Sequence, residues 1–163
     1  AKRMSTVTQI KLALKARLAT LTDVDQADID SYLPPVLTKR IALVIPPFGQ
    51  ETRVDRLTSQ GRFTLADAPV LQSHRLRCEF WVKIDTGNLA QTLRRASDIP
   101  LEAIRLLMSD QELGGAVSRV GNFGQGDNRW SITSETIDRP VEVAGVPYIV
   151  VVVNVPVIDY AEA

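Results

Sequence analysis

Apolar residues recur at every third or fourth position near the start of the chain. Between Ser5 and Leu21 the recurring residues are Val7, Ile10, Leu14, Leu18 and Leu21. Because an α-helix turns once in about 3.6 residues, this spacing gathers them on one side of a helix. The basic residues of the segment lie off that side, and they are Lys11, Lys15 and Arg17. We therefore predict a first helix with a single buried stripe.

A strict alternation of apolar and polar residues marks the clearest strand, from His74 to Asp85. One side carries Leu76, Cys78, Phe80, Val82 and Ile84, and the other carries Arg75, Arg77, Glu79, Lys83 and Asp85. A period of two indicates a strand with one buried face and one face toward water or a partner. Trp81 is an aromatic exception on the charged side, and we predict that it is exposed.

Shorter apolar runs predict the remaining strands, at residues 41–45, 117–123, 129–137, 141–144 and 147–157. Within the last of them, Tyr148–Val153 is apolar at every position, which is typical of a central strand covered on both faces. A second helical region precedes these C-terminal strands, with a predicted stripe of Leu89, Leu93, Ala96, Leu101, Ile104 and Met108. Pro100 makes it either one kinked helix or two helices.

Helices that are separated in sequence from a series of strands are typical of an α+β fold. We predict a single domain over residues 5–160, in which a mostly antiparallel sheet packs against two or three helices. Residues 46–73 differ in composition, because arginines and polar residues surround isolated apolar positions there. We interpret Phe48–Ser73 as an extended arm or long hairpin inserted in the domain, with a turn at Ser59–Gly61.

Charge and composition narrow the function classes. The chain of 163 residues contains 19 Lys and Arg and 19 Asp and Glu, so its formal net charge is zero. Proteins that wrap nucleic acid usually carry a basic excess, which this chain lacks. The longest apolar run is far shorter than the roughly 20 residues of a membrane helix, and no signal sequence is apparent. Together with a single cysteine, this predicts a protein made in a reducing cytosol.

Candidate catalytic residues are few. The single histidine, His74, and the single cysteine, Cys78, are four residues apart on one strand face. That spacing separates them by about 13 Å, which is too far for a nucleophile–base hydrogen bond. Gly121–Gly126 is rich in glycine but opens no helix, so we interpret it as a hairpin loop and not as a phosphate site. We predict no enzyme activity, no cofactor and no metal site.

Two charged clusters leave alternatives open. Four aspartates, Asp23, Asp25, Asp28 and Asp30, superficially resemble a calcium loop, but the third acid is one position late and the glycine is missing. They predict a solvated acidic loop, or else a charged surface that borders a pore or a partner. The arginines at positions 53, 56, 62, 75 and 77 fit a solvated face, a protein contact or a nucleic-acid contact.

The order of elements also resembles a known family. A helix at Thr8–Leu14 leads to the strand Ile41–Ile45, Arg75–Val82 runs into the second helical region, and Gly145–Val155 closes the chain. In this order and hydrophobic texture the chain resembles the tail terminator, or tail completion, proteins of long-tailed bacteriophages and phage-like particles.

The resemblance implies a hexameric ring that caps the tail tube, ends its polymerisation and joins the tail to the head connector. Its partners would be further copies of itself, the tail tube protein, the connector or stopper protein, and DNA that crosses the lumen without specific binding. It also implies a virion protein assembled in the host cytoplasm without a membrane.

We expect contacts with neighbouring subunits or partners from Phe48, Arg53, Arg56, Phe63 and Trp81. We expect the lumen to be lined by Asp23, Asp25, Asp28 and Asp30. The alternatives are a head–tail connector, stopper or other neck subunit, and a small ligand-binding α+β domain with a concave pocket.

Overall fold

The computed structural model describes residues 5–32, 40–56, 70–121 and 131–161. These residues form an α+β fold with a mostly antiparallel sheet and two helices, as the sequence predicts. The elements are α1 (Val7–Leu18), β1 (Val24–Ile29), β2 (Ile41–Ile45), β3 (Glu51–Arg56), β4 (Val70–Lys83), α2 (Leu89–Ser109), a 3-10 turn (Leu113–Gly115), β5 (Arg119–Val120), β6 (Thr133–Thr136), β7 (Val141–Val143) and β8 (Val146–Ala161).

The long antiparallel pair β4–β8 is the centre of the sheet, in register from Val70 opposite Ala161 to Lys83 opposite Tyr148. The other side of β4 pairs with β3 near its start and with β2 near its end, both antiparallel. Strand β1 continues the sheet as a parallel neighbour of β2, whereas β5, β6 and β7 pair with the far side of β8. The sheet therefore runs from a β1 edge to an edge formed by three short strands.

Helix α1 packs on one face of the sheet through the predicted stripe. Ile10, Leu14 and Leu18 are fully buried, and the side chain of Thr6 caps the first turn by accepting from the backbone N–H of Gln9. Lys11 differs from the prediction, because it is buried although it lies off the apolar stripe. Its ammonium group lies 2.7 Å from the carboxylate of Asp30, which satisfies the charge at that position.

Helix α2 is continuous through Pro100, which settles the choice between one helix and two. The predicted buried stripe is wrong for four of its six residues, since only Ala96 is buried as predicted and Ile104 is half-buried. The helix buries Thr92, Ala96, Ile99, Ala103 and Leu107, whereas Leu89, Leu93, Leu101 and Met108 are exposed. Both sets have helical spacing, so periodicity alone cannot choose between them. The sheet accepts the set with the smaller side chains.

The opposite face of the sheet carries a second apolar cluster, formed by Ala42, Val44, Trp81, Tyr148, Val150 and Val152. Trp81 is only 5% exposed, so the prediction that it is exposed is wrong. Its ring and the ring of Tyr148 form a T-shaped contact with centroids 5.8 Å apart. Its indole N–H donates to the carboxylate of Glu79 at 3.3 Å. Partly buried Ile137, Val141, Val143 and Val146 pack around the cluster. Tyr148–Val153 is buried throughout, as expected for a central strand.

Two predicted irregular regions belong to the sheet. The acidic segment predicted as a loop contains β1, whose Val24, Ala27 and Ile29 pack against the main core. The two ends of the predicted arm pair with each other, because β3 lies antiparallel to the first residues of β4. The predicted turn at 59–61 lies outside the described residues.

Candidate interaction surfaces

The exposed stripe of α2 is the largest group of uncovered apolar side chains on one described element. Leu89, Leu93 and Leu101 are each about half exposed, and Met108 is 40% exposed. Single exposed apolar residues are normal on a protein surface, but a stripe of four on one flank of a helix is characteristic of an interaction site.

The position of this stripe follows from the packing of the two helices. Arg17 of α1 donates to the hydroxyl of Ser109, and Arg95 of α2 donates to the carbonyl of Thr22 beyond α1, at 2.7 and 2.6 Å. Helical geometry places Arg95 and Ser109 on the flank of α2 that is roughly opposite Leu93. The stripe therefore faces away from α1, on a helix that packs over β8 and β4.

Basic residues border the stripe. Arg94 and Arg105 are exposed, and they precede and follow Leu101 by seven and four positions, so they lie beside it on the helix surface. Within the part of the chain that the structure describes, neither guanidinium group forms an ion pair. Asp98, three positions before Leu101, is also exposed on this side, so the margin of the stripe carries both signs of charge.

A second apolar patch consists of Tyr32 and Phe48, which follow β1 and β2. Because these two strands are parallel, the residues that follow them lie at the same end of the sheet. The two rings stack with centroids 5.5 Å apart and planes inclined by 24°. They are 67% and 44% exposed, so most of the stacked surface remains in contact with water.

The turn after Phe48 holds this aromatic pair in place. Gly49 has φ +74°, and a Cβ atom at this position would lie 2.7 Å from Cδ of Arg77. Both the backbone angle and the close approach therefore require glycine. Two acidic residues are close to the pair in sequence, Asp30 two positions before Tyr32 and Glu51 three positions after Phe48, and each forms an ion pair within the chain, with Lys11 at 2.7 Å and with Arg75 at 3.9 Å. Their side chains are 46% and 61% exposed.

The five predicted contact residues have different environments. Phe48 belongs to the aromatic patch, and Arg53 is exposed on β3 opposite Ser73. Trp81 is buried, as shown above. The side chain of Arg56 and the whole of Phe63 lie outside the described residues. Sequence analysis missed Tyr32, since nothing in the sequence shows that it stacks on a residue 16 positions later.

The four aspartates predicted for a lumen do not form one cluster. Asp23 and Asp30 are at opposite ends of β1, about 20 Å apart at the rise of a strand. Each of the four carboxylates has a polar partner: Asp23 pairs with Arg40, Asp25 accepts from the backbone N–H of Arg40, Asp28 accepts from Gln26, and Asp30 pairs with Lys11. On the edge strand these charges oppose the addition of a further strand.

A charged cleft of about 740 Å³ opens between the start of α2, the start of β2 and the end of β4. Its charged lining residues are Asp23, Arg40, Lys83, Asp85, Arg94, Arg95 and Asp98. Opposite charges meet within it, since Asp23 pairs with Arg40 and lies 3.8 Å from the guanidinium of Arg95. The cleft therefore combines both signs of charge and does not concentrate one.

Several polar residues lie around buried His74, on the face of the sheet that the helices cover. The hydroxyl of Thr52 lies 2.9 Å from Nδ1 of His74, and buried Asp159 accepts from the backbone N–H of Ser5 and the hydroxyl of Ser118. Burial lowers the pKa of His74, and the nearby carboxylate of Asp159 partly opposes this effect. Asp159 thereby connects the residues before α1 and β5 to β8.

Cys78 lies deeper in the same core and is fully buried. Burial, together with the charge of Glu79, raises the pKa of its thiol far above the ordinary value. A thiol in this environment is a poor nucleophile, because the reactive thiolate is disfavoured.

Comparison with known proteins gives no assignment: no protein-family model matches the chain, and no curated protein matches it significantly. Neither of the two described helices is long and apolar enough to cross a membrane. Among the described residues, no group of three or more His, Cys, Asp and Glu side chains is arranged to hold a metal ion.

Proposed function

We propose that the protein is a structural subunit that assembles with copies of itself into a closed ring and caps a phage-type tail tube. The observation that carries this proposal is the exposed stripe of Leu89, Leu93, Leu101 and Met108 on α2. A surface of this kind needs a macromolecular partner, and the order of the elements resembles that of tail terminator proteins.

The stripe is large enough to contribute to assembly. Complete burial of a leucine or methionine side chain contributes about 1.5–3 kcal/mol, and roughly half of each of the four is still exposed. Covering the stripe therefore contributes on the order of 3–6 kcal/mol per contact, before the cost of association. One such contact gives weak binding. A closed ring has one more contact than an open chain of the same number of subunits, which favours the complete ring over open intermediates.

Capping follows from which surfaces remain available in the ring. The charges on β1 oppose sheet extension at that edge, so growth of the assembly by strand addition is disfavoured. One face of the ring would match the end of the tail tube, while the other would meet the head connector and would not accept a further tube subunit. DNA would pass through the lumen without specific binding, in keeping with a net charge of zero.

Mass photometry of the purified chain, followed by negative-stain electron microscopy, tests the proposal. We expect a hexamer with a central opening. A different closed copy number would support the alternative of a connector, stopper or other neck subunit. A monomer or dimer at micromolar concentration would overturn the ring and favour a ligand-binding domain.

A further inference from the structure

Strand β3 is the most exposed of the strands next to His74. Its residues Glu51–Val54 are exposed, and in the described part of the chain β3 pairs with β4 alone. Thr52 of this strand lies opposite His74, and its hydroxyl is 2.9 Å from Nδ1 of the ring, which is itself fully buried. A strand with few buried contacts opens more easily than the core beside it.

The second ring nitrogen of His74 has no such partner. Nε2 is buried, and it forms no hydrogen bond to any residue that the structure describes. The neutral imidazole fits this site, because its proton can lie on Nδ1, toward Thr52, while Nε2 donates nothing. A second proton would go onto Nε2, so the buried ring would then hold both a positive charge and an unsatisfied donor.

We propose that acid opens this part of the fold locally: when His74 takes up a proton, β3 separates from the first residues of β4 while the rest of the sheet stays folded. In the open form water satisfies both N–H groups of the imidazolium ring. Opening also uncovers the edge of β4 from Val70 to Arg75, which β3 covers in the closed form. This inference does not depend on the proposed ring.

The charges around His74 do not compensate for protonation in the closed form. Among the described residues, the one charged group that acts on the ring is the carboxylate of Asp159 on β8. Burial outweighs its attraction, so the pKa of His74 is lowered. The other polar neighbours in this cluster and the nearest residues on the same face of β4 are uncharged, and they are Thr52, Ser5, Ser118, Gln72 and Leu76.

Asp159 is also poorly placed to turn toward the protonated ring. It is fully buried, and each of its carboxylate oxygens already accepts a hydrogen bond, one from the backbone N–H of Ser5 and one from the hydroxyl of Ser118. Turning to His74 would leave these donors buried without their acceptor, which is costly. The backbone groups of exposed β3 can bond to water instead, so opening at β3 is the less costly response.

Amide hydrogen exchange measured by NMR on the wild-type chain, at about pH 7.5 and about pH 5.5, tests the inference. After correction for the intrinsic exchange rate, protection of the β3 amides should fall by up to about tenfold at the lower pH, because the open form takes up a proton near the ordinary pKa of 6.5. The matched comparison is β7, another short strand that pairs with one neighbour and contains no histidine. Its protection should not change.

Two variants assign the effect to the ring. His74→Gln removes the titrating group, so protection of β3 should no longer depend on pH. Thr52→Val keeps the histidine and removes only the hydroxyl, so β3 should be less protected at both pH values and should keep its pH dependence.

Several outcomes would overturn the proposal. Unchanged protection of β3 in the wild-type chain would do so, as would an equal loss in β7 or a loss in β3 that persists in His74→Gln. If the Ser5 amide loses protection and β3 does not, Asp159 has turned to His74 and β3 is not the part that opens. The wild-type comparison of β3 with β7 decides the question even if a variant does not fold.

Discussion

The two apolar stripes of α2 differ in side-chain size as well as in exposure. The stripe that faces the sheet combines three small residues, Thr92, Ala96 and Ala103, with Ile99 and Leu107, whereas the exposed stripe consists of three leucines and a methionine. The small residues allow the helix to lie close to the sheet, while four large apolar residues of the same helix are left outside. A helix that served only its own core would be expected to have the opposite distribution.

Helix α1 shows that opposite distribution within the same molecule. Its large apolar residues Ile10, Leu14 and Leu18 are fully buried, and Leu12 is its one large apolar residue more than a third exposed. The contrast indicates that α1 serves mainly to stabilise the fold, whereas α2 stabilises the fold and also leaves apolar surface uncovered, which the proposed assembly would use.

The largest expected effect comes from truncating the buried stripe. Leu107→Ala should lower the free energy of unfolding by about 2–5 kcal/mol, because it leaves a cavity beneath the helix. Leu101→Ala should change it by less than about 1 kcal/mol, because that side chain is half exposed. Urea denaturation at a concentration where the chain is monomeric measures both values, and equal losses would contradict the assignment of the two stripes.

Enlarging a side chain of α2 should have a smaller effect on stability, again only on the side of the helix that faces the sheet. Ala103→Leu should cost about 1–3 kcal/mol of stability, because the close approach of α2 to the sheet leaves no room for extra methyl groups. Ser97→Leu is the matched control on the exposed flank, and it should leave the unfolding midpoint nearly unchanged. If Ala103→Leu is tolerated equally well, small residues are not required beneath the helix.

The smallest expected effect is a dependence of stability on pH, and it tests the core separately from the surface. The lowered pKa of His74 means that the unfolded chain takes up the proton first as the pH falls below the ordinary value of 6.5. Stability should therefore be constant above that pH and fall below it, by at most about 1.4 kcal/mol per pH unit from this group. His74→Gln should flatten this dependence, and since the chain has one histidine the difference belongs to His74. An unchanged slope would contradict the buried neutral imidazole.

The sequence predicts the centre of this fold better than its edges. β4 and β8 follow from alternation and from a continuous apolar run, because both patterns directly reflect burial in a sheet. β1 does not, since an irregularity in its register between Val24 and Gln26 interrupts the alternation and its charges resemble those of a loop. Alternation likewise assigns Trp81 to a face, but it does not show that residues more than 50 positions later cover that face.

The candidate surfaces are predictable only in part, for a related reason. Helical spacing identifies both stripes of α2, but the choice of the buried one depends on the distance between helix and sheet. Phe48 is suggested by its position after a buried strand, whereas its partner Tyr32 is brought to it only by the parallel pairing of β1 with β2.

Native mass spectrometry of two variants tests the central claim, that the exposed stripe of α2 drives self-assembly. Leu93→Glu combined with Leu101→Glu places two charges in the stripe, and the account predicts a folded monomer. Leu12→Glu changes a similarly exposed leucine on α1, and it should retain the assembly of the wild-type chain. If the double variant assembles as the wild type does, the stripe is not an interface and the account is wrong.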